Sequence, residues 1–498
     1  MYDIAKCFDS QWYSETMNDL WDVGLRDDKF AIISELNSKC NIAIRTPVGL
    51  TERFEMTNIE MQGTVMGPLK CSVQLDTLGR ECYERQEGLY LYNGCVSVPP
   101  LQMIDDLASF STCSPQTIIT NAIINGKIEA KKLEFGQDKC INIHIGDKQS
   151  YCDGLKVHEE TMKQKNYETY LGEVISSSGS NERNIEKRRN SAIGSVSQMI
   201  STLSRVTLGH FHFEIALIFR DSMLISKLVS SSESWYNVKE EQYRKLEEID
   251  EMFLTKIFEL PQSVPKLSLY AESGKYPLRF IILVRRLMFW WDIVNKGEEE
   301  LVHKFYLAQK LKPVKNDFVL QIVEDLDEIG LVVTENEVKK ISRQKFKKIV
   351  EYKVGIHVRK YFQKMKKSKT NHLVFGEKIT AAKYLTSKKL SVAEIQTLFR
   401  LRSRTVNVKD NQKSSFKDNP WCRTCLLFNE TQEHILYCSE IRSKVKHLDL
   451  DFNAVEHSMI YSSLDKQEKV AKVFHTLLQA RSDIIENSPS PSGGPAHQ

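Results

Sequence analysis

A chain of 498 residues with 41% hydrophobic content is long enough for two to four folded domains, which excludes a compositionally disordered protein. Its net charge of +4 excludes a strong global field, so affinity for nucleic acid has to come from local patches. Eleven cysteines without a secretory n-region or apolar h-region exclude a disulfide scaffold. They predict a reducing intracellular setting, nuclear or cytoplasmic and not secreted, where clustered cysteines read as metal ligands.

The first element carries Asp3 in MYDIAKCFDS, and a second acidic station, Asp105-Asp106, lies in QMIDDLASFS. Carboxylates far apart in sequence suit a site for two divalent cations, which lie roughly 3.5 to 4 Å apart in two-metal enzymes and take oxygen ligands. A lone Asp-Asp pair more commonly marks a solvated turn or a helix cap. Order and context raise its interest here: Asp3 is followed by Phe8, then by a Gln62-Gly63 loop ending in Pro68, and only then by the Asp-Asp pair in an apolar setting. Pro68 predicts the start of a helix running through Lys70 to Leu78. Leu89 to Tyr92 and Cys95 to Val98 flank Asn93-Gly94, which predicts a hairpin with a type I′ turn.

Asp3-Ile4-Ala5-Lys6-Cys7-Phe8-Asp9 resembles the D-x-x-K-x-F-D motif of reverse transcriptases of non-LTR (LINE-type) retrotransposons. The resemblance continues through Gln62 to Leu69, Met103-Ile104-Asp105-Asp106-Leu107, Leu133-Glu134-Phe135-Gly136 with Lys139-Cys140, and Tyr170-Leu171-Gly172, covering residues 1–175. It implies an α+β fold: a polymerase palm with an antiparallel sheet, followed by a helical thumb, a helical basic region and a small zinc-binding domain. By the same resemblance, Asp3 and Asp105 hold two Mg²⁺ ions, Asp106 stands with them at the tip of a β-hairpin, and Phe8 is an aromatic gate against a 2′-hydroxyl. Gln62 and Gly63 touch nucleotide and template, Lys139 assists proton transfer near the triphosphate, and Leu171 and Gly172 belong to a primer grip. The implied partners are an RNA template, a DNA primer or target, and dNTPs. The family carries fingers upstream of its first palm motif, whereas Asp3 stands two residues from Met1. The expectation is therefore a truncated copy with little or no polymerase activity alone, and the competing expectation is a catalytically dead nucleic-acid-binding remnant. His144, on an alternating strand, reads as structural.

Residues 185–300 follow mainly helical spacings, as in Ile193, Val196, Met199 and Ile200. Arg279, Arg285 and Arg286 stand beside aromatics in the most apolar stretch, Phe280 to Trp291, and read as the edge of a buried core ahead of a nucleic-acid contact. That stretch is too short and too charged to span a bilayer, which takes about 20 apolar residues, so no membrane partner is expected. Lys339 to Lys369 is the strongest basic patch, with thirteen lysines and arginines and Glu351 almost alone among acids; it reads either as a phosphate-binding surface or as a solvated helical face. Cys422-x2-Cys425-x8-His434-x3-Cys438 has the spacing of a Zn²⁺ site and resembles the C-terminal Cys/His cluster of the same family. Trp421 and Arg423 beside it read either as nucleic-acid contacts or as packing residues. The segments drawn on these grounds are 1–175, 176–300, 301–410, 415–445, a helix over 446–486, and a disordered Ser/Pro/Gly tail at 487–498.

Overall fold

Tyr2 and Ile4 are buried on either side of a half-exposed Asp3. That alternation is the period-two signature of a strand with one face on a core. In the computed structural model, Tyr2–Asp3 forms the edge of a three-stranded antiparallel sheet with Asp106–Ala108 in the centre and Leu101–Met103 beyond it. The structure describes residues 1–38, 41–55, 65–85, 89–91, 96–146, 154–206, 213–315, 317–366, 379–411, 419–448 and 452–487. The fold is a mixture of helices and small, mostly antiparallel sheets, of α+β character.

Two compact units are present, Met1–Asn184 with Lys296–Val314, and Ile185–Asn295 with Lys315–Gln498. In the first, Tyr2, Ile4 and Leu107 point from the sheet into a core shared with helices Gly67–Glu84 and Ser114–Ala130. The first of these helices begins at the expected proline and runs past Leu78 to Glu84, because Cys71, Leu75, Leu78 and Cys82 recur at helical spacing and are all buried. The Tyr2 hydroxyl donates to Asn121 Oδ1 at 3.0 Å, and Asn121 Nδ2 in turn donates to Lys156 O at 2.8 Å, so a polar thread crosses the core with its groups paired. The hairpin predicted around Asn93-Gly94 is present as paired strands Leu89–Leu91 and Val96–Val98, while the turn itself lies outside the described residues.

The second unit is helical. Its centre is Leu278–Val294, against which Glu240–Ile257, Phe318–Glu328 and Arg343–Met365 pack. Arginines close the helix contacts from inside: Arg220 meets Asp250 through Nε and a terminal nitrogen, both at 2.6 Å, and Arg286 meets Asp325 at 2.7 and 2.6 Å. All four side chains are buried. Burying such groups is costly, and the bidentate geometry offsets that cost by keeping both partners hydrogen-bonded. The segments drawn separately on the sequence at 415–445 and 446–486 share one core, since helices Gln432–Tyr437 and Ser439–Lys444 pack on the long helix Leu464–Glu486. The tail at 488–498 lies outside the described residues.

Helix Val392–Arg402, which also packs on Leu464–Glu486, opens with a capping box: Ser391 accepts from the Glu394 backbone at 3.3 Å and Glu394 accepts from the Ser391 backbone at 2.7 Å. Ser391→Ala should lower stability by about 1 kcal/mol, read as a shift of the urea midpoint with an unchanged slope. A shift of zero would mean that tertiary packing alone fixes this helix start.

Candidate functional site

The aspartates come together through register. Asp3 lies directly opposite Asp106, and Met103 lies opposite Asp106 on its other side, so Ile104 and Asp105 are the two-residue turn of the Leu101–Ala108 hairpin. Asp105 therefore stands at the hairpin tip, next to the Asp3–Asp106 pair. Ile104 occupies a left-handed backbone conformation (φ 59°), a strained choice for a β-branched residue. Two features hold it there: its side chain packs on the core, and Gln102 Nε2 donates to its carbonyl at 3.0 Å. Phe8, on the short helix Cys7–Ser10, is half-buried on the same core.

The segment after helix Ser114–Ala130 completes the cluster. Ile4 bridges Phe135, the Gly136 amide donates to Asp3 O at 2.8 Å, and the Ala5 amide donates to Glu134 O at 2.8 Å. The Asp3 amide points at Cys140 Sγ at 3.4 Å. A 3-10 turn, Gln137–Lys139, then brings the Lys139 ammonium to 3.3 Å from Asp3 Oδ2. Lys139 is 73% exposed, so its tip is free to swing. Burial, with help from the neighbouring Asp105 and Asp3 charges, pushes the Asp106 carboxyl above the ordinary carboxylate range against the pull of Lys139. Three acids thus stand near enough to influence one another's charge. They form an open platform: among the described residues, the one group of three or more His, Cys, Asp or Glu side chains whose ligand atoms converge as for a metal lies elsewhere, at the Cys/His cluster.

Leu171 and Gly172 form the turn of a second hairpin, Tyr167–Tyr170 with Glu173–Ser176, with φ of 48° and 85° as a type I′ turn requires. The Tyr170 hydroxyl donates to Leu101 O at 3.2 Å, which ties this hairpin to the aspartate hairpin. Gln62 and Gly63 lie outside the described residues. His144 follows the two-residue strand Ile141–Asn142 and is not on an alternating strand, because that pairing ends at Asn142. Gly136, Cys140 and Tyr170 stood in the sequence only as members of motifs with no role of their own, and Gln102 was not singled out, since each acts through a partner that is distant along the chain or through a backbone atom.

Cys422, Cys425, His434 and Cys438 offer ligand atoms that all lie within 4.8 Å of one another. Three thiols and one imidazole match the donor set of a tetrahedral site, and the group can hold a metal ion such as zinc. Local structure explains the convergence. Trp421 bridges Asn429, the Cys422 amide donates to Phe428 O at 2.7 Å, and Leu426 turns the loop with φ 57°. Thr431 Oγ1 then caps helix Gln432–Tyr437 by accepting from the His434 amide at 3.0 Å, so His434 faces back to Cys425 Sγ at 3.3 Å from Nε2. Burial lowers the His434 imidazole pKa, which favours the neutral, metal-binding form. Beneath the loop, the fully buried Glu430 joins Arg423 (2.8 Å) to Arg481 (2.7 Å) of the long helix. Arg423 is thus a packing residue, while Trp421, Leu426, Leu427 and Phe428 are exposed.

Arg279, Arg285 and Arg286 are engaged within the fold, by Glu240 and Glu247, by Glu233, and by Asp325. On helix Arg343–Met365 the basic residues divide. Arg343 pairs with Asp292, Lys347 with Glu351, and Lys353 with Gly330 O, while Lys345, Lys348, Lys360 and Lys364 face solvent. Lys367 and Lys369 lie outside the described residues. Among the described residues, no helix is long and apolar enough to cross a membrane. No protein-family model matches the chain, and no curated protein matches it.

Proposed function

We propose that the first unit is the palm of a non-LTR-type reverse transcriptase, an RNA-directed DNA polymerase that transfers dNTPs onto a primer 3′-hydroxyl. The observation that carries this reading is the register that sets Asp3 opposite Asp106, with Asp105 at the adjoining tip and Lys139 against Asp3. Two Mg²⁺ ions on Asp3 and Asp105 would activate the attacking hydroxyl and stabilise the leaving oxygen. Asp106, made less acidic by burial and by its acidic neighbours, holds the hairpin strand beside Asp3. Lys139 meets the triphosphate side once it leaves Asp3, and it is placed to give a proton to the departing pyrophosphate. Phe8 supplies the apolar wall beneath the sugar. The Tyr170-anchored turn at Leu171 and Gly172 steadies the primer end against the carboxylates. Zn²⁺ is the ion proposed for the Cys/His group, in a structural role, because all four protein ligands fill its tetrahedron.

The test is Mg²⁺-dependent incorporation of deoxynucleotides on a primed RNA template. Incorporation that disappears with Asp105→Asn supports the reading. Incorporation that survives Asp105→Asn and Asp3→Asn ends it. The four solvent-facing lysines of helix Arg343–Met365 favour a second reading, a nucleic-acid-binding module without chemistry. RNA binding that weakens steeply with salt, without incorporation even when a reverse-transcriptase fingers segment is joined ahead of Met1, would select that second reading.

A further inference from the structure

Glycine at 136 is not required by its backbone. Its φ of −74° and ψ of 86° are open to ordinary residues, so the reason for a missing side chain has to be space. A Cβ built there would stand 2.5 Å from Asp3 Oδ2 and 3.4 Å from Asp3 Cγ. Both backbones are fixed: the Gly136 amide donates to Asp3 O at 2.8 Å, and the Gly136 carbonyl accepts from Lys139 at 2.8 Å and Cys140 at 3.1 Å. The Asp3 carboxylate, by contrast, ends a short side chain with a broad terminal torsion. It is the part that yields.

We infer that Gly136 is a positioning residue for Asp3, leaving the space its carboxylate occupies beside Asp106 and Lys139. An alanine there leaves the fold intact and rotates the carboxylate away from its neighbours. The inference rests on the metal site proposed above and names a residue that tunes it.

The experiment is Mn²⁺ binding to the full zinc-loaded chain, followed by electron paramagnetic resonance, for the wild type, Gly136→Ala, Asp3→Asn, the double variant and Asp105→Asn. Mn²⁺ prefers carboxylate oxygens and leaves the thiol site to zinc. Gly136→Ala should weaken Mn²⁺ about tenfold or more, as for other groups that orient metal ligands, with its thermal transition unmoved. Added to Asp3→Asn it should cost nothing further, since it acts through that carboxylate. Unchanged affinity in Gly136→Ala overturns the inference and leaves the metal site standing. An equal loss in both backgrounds, or a lowered thermal transition, also overturns it, because the glycine then serves the fold. Wild type that binds no Mn²⁺ overturns the metal site and the inference together.

Discussion

Purified protein will carry one zinc per chain at Cys422, Cys425, His434 and Cys438, and Cys438→Ser will abolish that stoichiometry and cost several kcal/mol of stability. The loop from Trp421 to Asn429 is held by one bridge, a few backbone bonds and the Arg423–Glu430 ion pair. Helices Gln432–Tyr437 and Ser439–Lys444 are six residues each, too short to persist on propensity. What remains to fix them is the ion and their packing on the long helix Leu464–Glu486. Structural zinc in free-standing peptides contributes about 10–16 kcal/mol of apparent binding energy at neutral pH. Here part of the surrounding fold is already formed, so the share appearing as stability is smaller. Elemental analysis gives the stoichiometry, and thermal unfolding with and without a chelator gives the stability. A melting curve indifferent to both the chelator and Cys438→Ser would show that packing alone holds this region.

Glu430→Ala is expected to destabilise the second unit by about 3–5 kcal/mol, the cost of breaking a buried ion pair from one side. Burial opposes the Glu430 charge, but the Arg423 and Arg481 guanidiniums outweigh it and hold the carboxyl below the ordinary glutamate range. Its oxygens accept from both arginines and from the backbone amides of Lys409 and Arg423. Removing the carboxylate leaves Arg481, itself buried, without a counter-charge. Glu430→Gln should lie between the two, retaining some acceptors and losing the charge. Urea unfolding of the three proteins at neutral pH decides the matter, and an alanine variant within 0.5 kcal/mol of wild type, about the size of an ordinary surface change, would refute the account.

Local spacing made the Cys/His group legible in the sequence, because its ligands lie within one short loop and helix. Asp3 and Asp105-Asp106 were legible as acidic stations. Their register was not, since strands of two and three residues are too short to show periodicity. Gly136 stood in a motif, but its role gave no signal, for its constraint is a side chain over a hundred residues away. The basic stretch looked richer in free charge than it is. Asp292, which neutralises Arg343, belongs to a different helix. Likewise, Leu301–Leu311 read as the start of a basic connector, whereas its buried Tyr306 and Ala308 belong to the first unit.

That last helix has a consequence for how the protein is made. The first unit is discontinuous, and its final piece, Lys296–Val314, emerges from the ribosome only after the chain from Ile185 to Asn295 has been synthesised. Until then the surface beside Val96–Val98, on which helix Leu301–Leu311 packs, stays uncovered. Loop closure over such a separation adds little to the final free energy but delays the contact. A nascent chain paused before Lys296 is therefore the species most exposed to chaperone capture or aggregation, and part of the second unit is on hand before the first can finish.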